Sequence, residues 1–262
     1  MIGFISAIFC TITFGAIWYH MQALARGNAS ARIKFIAPWT LTVVAMAIMA
    51  GSQIFSDSGL NLNFYNSLFG AASVICAILY LVCLFKQVEH LGLIVLPVSL
   101  ACIVLNILFS TEGTQISLSH GIQIHIITSI IAFSILGLTS VQAILLFFQE
   151  RKLRSHTNVG ILRALPSLHE SETLLFQTIS LGVAILTIAL VEGFIYVEDI
   201  FAQHLVHKTF LSSLAWVVFV ILLWGRIQFG WRGTTAIRWS LSGFTFLILA
   251  YFGSKFVLEL IL

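Results

Sequence analysis

Charge is what this sequence has least of. Asp, Glu, Lys and Arg make up only 9% of its 262 residues, while 59% are apolar. Soluble domains carry about 25% charged residues, so this chain has too few polar side chains to cover a globule in water. The shortage excludes a soluble protein and points to an integral membrane one. There is no soluble stretch long enough for a further domain, and residues 1–262 read as a single integral membrane domain. No internal repeat and no low-complexity tract interrupts it. The small basic excess, +3, does not suggest nucleic-acid binding, and the expected partner is the lipid bilayer.

Other absences narrow the function. The four cysteines (Cys10, Cys76, Cys83, Cys102) all fall inside apolar segments, so they read as small buried hydrophobes rather than disulfides or metal thiolates. No C-x-x-C-H occurs, which excludes covalently attached c-type haem on this chain. The start, MIGFISAIFC, lacks a basic n-region and a small-residue cleavage site, and reads as a retained first helix.

Long apolar runs are what the chain does have. Crossing hydrocarbon takes about 20 apolar residues per helix. The expected spans are 2–23, 37–56, 66–86, 92–110, 124–149, 175–197, 209–226 and 239–260. The fold class is therefore all-α and polytopic, with about eight transmembrane helices. Pro97 makes the fourth span the weakest, although membrane helices tolerate proline. Basic residues set the orientation. Arg26, Arg32, Lys34, Lys86, Arg151, Lys152, Arg154, Arg163, Arg226, Arg232 and Arg238 all fall on one face, leaving Lys208 and Lys255 outside it. By the positive-inside rule that face is cytoplasmic, so both termini of this multi-pass protein are expected on the opposite side of the membrane.

This orientation sorts the histidines. His20, His90, His156 and His169 fall toward the cytoplasm; His120, His125, His204 and His207 fall on the outer face. Neutral imidazole is the commonest metal ligand and the usual axial ligand of haem iron. His120 and His125 are five apart, about 140° round a helix, so both cannot address one site unless the chain bends. One ligand from the mouth of helix 5 and one from the mouth of helix 7 follows; the alternative is histidines that snorkel in the headgroups. Glu192 is a carboxylate just below the outer end of helix 6. It is either a functional group or the partner of Lys208 or Lys255. A single such acid argues against a proton- or ion-coupled carrier. The segment WGRIQFGWRG (224–233) reads as an aromatic and basic helix anchor.

The strings HKTFLSSLAWVVFVILLWGRIQFGWRG and LAYFGSKFVLELIL resemble the cytochrome c assembly family of membrane proteins, which includes the CcsA, ResC and CcmC haem handlers. The resemblance is closest to the HemX/YpjD-like branch. HIITSIIAFSILGL (125–138) is similar to the family segment that opens on an external haem-ligand histidine, and His125 takes that place. LNLNFYNSL (60–68) resembles the family's "LP-SNLYESL" segment. The departures are specific. The family's tryptophan-rich "WWD" loop is replaced by EDIFAQHLVHKT, which has no tryptophan. The histidine before LNLNFYNSL, the intramembrane one at LLWGR and the late one at FGSKFVLEL are missing. HKTF stands where the family loop closes on "PKETW", which puts His207 at the proline.

The resemblance implies a protein that binds haem b non-covalently at the periplasmic face for cytochrome c maturation. His125 and His207 would be axial ligands to the iron, Lys208 would pair with a propionate, and Glu192 would tune the site from below. Implied partners are a cytochrome c maturation subunit or an apocytochrome. The chain shows no catalytic constellation and is expected to be at most part of a multi-subunit haem lyase. The competing expectation is a haem-free regulator or scaffold that keeps the family fold.

Overall fold

The computed structural model describes residues 2–27, 32–56, 59–61, 63–110, 119–154, 165–196 and 203–253. It contains eight α-helices: α1 (Ile2–Ala25), α2 (Ile33–Ile54), α3 (Phe64–Phe85), α4 (Gly92–Phe109), α5 (His120–Arg154), α6 (Leu168–Tyr196), α7 (Gln203–Phe229) and α8 (Thr234–Ile248). A 3₁₀ turn, Glu89–Leu91, leads into α4, and a π-helical turn, Leu249–Gly253, extends α8. Two short strands, β1 (Phe55–Ser56) and β2 (Gly59–Leu60), pair antiparallel between α2 and α3. All eight helices, α4 and α8 with those added turns, are long and apolar enough to cross a membrane.

Each expected span is helical over its described residues except at 55–56, which form a strand, and at the C-cap residues Lys86 and Ser110, while 197 and 254–260 lie outside the described residues; most helices overrun their spans. Hydropathy marks where the side chains leave the hydrocarbon, whereas a helix continues until its backbone is broken. Gly27 and Gly230 adopt φ of 75° and 65° just past α1 and α7, the left-handed stop that glycine takes without strain. At the start of α6 the polar LHESE is helical, with Glu170 in the first turn, where the helix dipole favours a negative charge. Pro97 sits inside α4 without breaking it. It is exposed, and one proline removes a single bond from the helical ladder.

Backbone neighbours divide the chain into two compact units, Met1–Ile116 with Phe148–Leu168, and Ser117–Phe147 with His169–Leu262. In the first, α1 packs on α2, α2 on α3, α3 on α4 and α4 back on α1. The ring is up-and-down. The site of a Cβ on Gly3 lies against Ile107 and Met49, Cys10 Sγ donates to the Leu96 carbonyl at 3.3 Å, and His20 meets Glu89. Hydroxyls and thiols knit its middle. Thr13 and Thr42 are hydrogen-bonded at 2.8 Å, and Trp39 Nε1 donates to Cys76 Sγ at 3.4 Å. All four cysteines are free and buried, as their apolar settings indicate. Between membrane helices the lipid tails are as apolar as leucine, so close packing and such bonds supply the association.

In the second unit α5 and α6 are antiparallel. His125 lies against Gly193, Leu136 against Gly182, and Gln142 Nε2 donates to the Ser171 carbonyl at 3.3 Å. Trp216 on α7 donates to Thr187 Oγ1 on α6 at 2.8 Å. Phe219 on α7 fills the space that a side chain on Gly243 of α8 would take. At the basic end of this unit the Arg226 guanidinium lies 4.6 Å from the Phe176 ring and donates to the Trp231 carbonyl at 3.2 Å. Rings of Phe229, Trp231 and Trp239 stack beside it. WGRIQFGWRG is thus fastened into the unit as well as facing outward at Trp224, which is exposed.

Candidate functional site: a fixed imidazole at the mouth of α5

The end of the second unit opposite its arginines holds the histidine expected to matter. His125 lies in the second turn of α5, and its Nδ1 is 2.8 Å from the carbonyl oxygen of Ala189 on α6. A carbonyl oxygen only accepts, so Nδ1 carries the proton and donates it. Nε2 then keeps its lone pair. This is the second-shell arrangement that orients a ligand histidine and fixes its tautomer. Gly193 makes the approach possible: a Cβ there would sit 3.0 Å from His125 Cε1. One turn earlier, the Tyr196 ring occupies the space over Gly121 and closes the mouth.

Glu192 is one turn from Ala189 on α6 and four residues from the helix end, about 6 Å of helical rise. Its Oε1 accepts from Thr128 Oγ1 at 3.4 Å, while its Oε2 is buried without a partner among the described residues. Of its expected lysine partners, Lys208 is half-buried in the second turn of α7 and Lys255 lies outside the described residues. His125 and Glu192 therefore share one α5–α6 seam. Below them the Tyr251 ring, on the π-helical turn after α8, lies 5.0 Å from the Phe133 ring, about two turns along α5 from His125. Single π turns concentrate at functional sites.

The other expected residues are placed differently. His207 is exposed and Lys208 half-buried in the first turns of α7. No recorded contact joins either of them to His125. His120 is exposed at the first position of α5, and the side chain of His204 lies outside the described residues. Among the described residues, no group of three or more His, Cys, Asp and Glu side chains could hold a metal ion. A site here would rest on imidazole and a hydrophobic seam rather than on a closed metal cage.

Sequence reasoning missed a second polar centre, in the first unit. His20 and His90 were read as interface histidines and Glu89 was not singled out, yet all three are at least 95% buried. Glu89 Oε1 is 3.5 Å from His20 Nε2 and Oε2 is 3.6 Å from the Arg32 guanidinium. The same guanidinium donates to the Cys83 and Lys86 carbonyls, capping the end of α3. The available signal was positional. KQVEHLGLIVLP passes from a charged turn to a membrane helix with no polar spacer.

An all-helical, multi-pass membrane protein with an oriented imidazole in its second unit is the class these features define. The description "cytochrome C assembly protein" fits a family model over residues 6–262, and the chain belongs to that family. It is similar to the "Inner membrane protein YpjD" of Escherichia coli (strain K12), 28% identical over 92% of each chain. It also resembles an "Uncharacterized 28.8 kDa protein in nifR3-like 5'region" of Azospirillum brasilense, 34% identical over 54% of this chain and 53% of that one. No solved structure matches it.

Proposed function

We propose that this chain is an inner-membrane haem-handling protein that presents haem b, held non-covalently, at the periplasmic face for cytochrome c maturation. The observation that carries the reading is the His125 tautomer: Nδ1–H is spent on the Ala189 carbonyl, so Nε2 is the free, lone-pair nitrogen an iron needs. That residue also occupies the position at which the family carries an external ligand histidine. His207 is the second axial ligand, Lys208 the cation for a propionate, and Glu192 the negative group that tunes the site from the seam below. Iron supplies the binding and redox chemistry. The chain's own residues hold and orient, and the protein is not itself an enzyme but works with a maturation subunit or an apocytochrome.

The orientation underlying this is testable by itself. Eleven of the thirteen basic residues fall on the face that the positive-inside rule makes cytoplasmic, and on this reading both termini and the mouth of α5 face the periplasm. Reporter fusions after residue 205 should show periplasmic activity, and fusions after residues 158 or 232 cytoplasmic activity. The reverse pattern would move the imidazole to the wrong compartment.

Hemin titration of the purified protein tests the binding. Uptake should saturate near one haem per chain and be at least tenfold tighter than in the His125→Ala/His207→Ala double variant, a difference of about 1.4 kcal/mol. Equal uptake by the two proteins would favour the haem-free regulator or scaffold, to which the missing family histidines already point.

A further inference from the structure

The end of the first unit away from its arginines carries a polar cluster that the haem reading does not use. Asn66, in the first turn of α3 and 1% exposed, is its hub. Its Nδ2 donates to the backbone carbonyls of Gln53 and Asn61 at 3.4 and 3.3 Å. Carbonyls cannot donate, so these bonds fix which way the amide faces. Its Oδ1 must then accept, and does so from Asn106 Nδ2 at 2.9 Å and Ser110 Oγ at 2.8 Å. That in turn fixes Asn106, also 1% exposed, and leaves its Oδ1 buried with no donor among the described residues. Gln53 Oε1 and Asn61 Oδ1 are likewise buried without a donor among the described residues. Each of these three amide oxygens belongs to a residue that Asn66 contacts directly.

Buried acceptors are nearly always satisfied, so something brings positive charge or protons here. One water supplies two donors for three oxygens. One metal cation can be shared by all three, and uncharged hard oxygens suit a monovalent ion better than a divalent one, which is normally held by carboxylates. The surroundings have the matching sign. Gln53 and Asn106 lie in the last turns of α2 and α4, the negative ends of their dipoles, while Asn63 already caps the start of α3. We propose that the side-chain oxygens of Gln53, Asn61 and Asn106 bind a monovalent metal cation, sodium or potassium, at this end of the first unit.

Thermal unfolding of the detergent-purified full chain in NaCl, KCl or choline chloride at one ionic strength tests this. A cation bound only by the folded state raises the midpoint with a saturable concentration dependence. Sodium or potassium should therefore stabilise the protein and choline should not. Gln53→Ala and Asn61→Ala each delete one stranded oxygen and spare the backbone carbonyls that hold Asn66, so each should weaken the apparent cation affinity about tenfold. Asn61→Asp keeps the oxygen and adds charge, and should tighten it, which keeps the test decisive if an alanine variant fails to fold. Identical midpoints in the three salts would overturn the proposal and assign the oxygens to buried water. A saturable cation effect unchanged in Asn61→Ala and Asn61→Asp would also overturn it, because the ion would then sit elsewhere.

Discussion

Glu89→Gln should destabilise the purified protein by about 3 kcal/mol, the order expected when one partner of a buried ion pair is removed. The substitution is isosteric and leaves the fold its shape. What it removes is, among the described residues, the acid paired with the Arg32 guanidinium and His20 Nε2, in a pocket where the Glu89 side chain is 6% exposed. The Arg32 side chain is 33% exposed, so water recovers part of its solvation and holds the effect to the lower end of the buried-pair range. Arg32→Gln should also be destabilising, and more so than charge alone explains, because the carboxylate is left buried and the α3 carbonyls lose their cap. The double variant should fall well short of the sum of the two single effects. Denaturation in detergent reads all three. An unchanged Glu89→Gln protein, or strictly additive losses, would mean that the cluster is solvated and holds nothing together.

The second large effect is expected at the haem. His125→Ala should abolish or strongly weaken haem retention, because it removes the one nitrogen that the α5–α6 seam presents with its lone pair free. His207→Ala should leave haem bound and move its spectrum toward five-coordinate iron. His169, exposed at the start of α6, should have no effect on the spectrum when replaced. His20→Ala should leave the spectrum alone while lowering stability, since His20 is buried against Glu89 and the Phe35 ring. A variant that loses haem only because it unfolds is separated from these by its thermal midpoint.

The sequence made the eight helices readable because membrane spanning writes itself into composition: about 20 apolar residues are needed and little else meets the requirement. Helix ends were less readable. The polar segments at 150–154, 168–174 and 203–208 are helical although they fall outside the apolar spans, because nothing in them breaks the backbone. His125 could be picked out by its position at a helix mouth, yet its tautomer could not, because the group that fixes it is the backbone carbonyl of Ala189, 64 residues away. A backbone acceptor leaves no trace in side-chain identity. Glu192 was visible as a lone membrane acid, and its expected partners were lysines because charge is what a sequence displays. Among the described residues the structure gives it Thr128, a hydroxyl that looks the same in sequence whether it bonds its own helix or a neighbour. Glu89 shows the converse. It stands in a charged turn and looks solvated, and only the closing of the first-unit helices around it brings it to His20 and Arg32.

The most direct measurement is the absorption spectrum of the full-length protein purified in mild detergent from haem-replete cells. The account predicts a Soret band with a low-spin, two-imidazole signature in the wild type that is lost or strongly reduced in His125→Ala. A wild-type protein that is folded, carries no Soret band and takes up added hemin no more tightly than the His125→Ala/His207→Ala variant would contradict it.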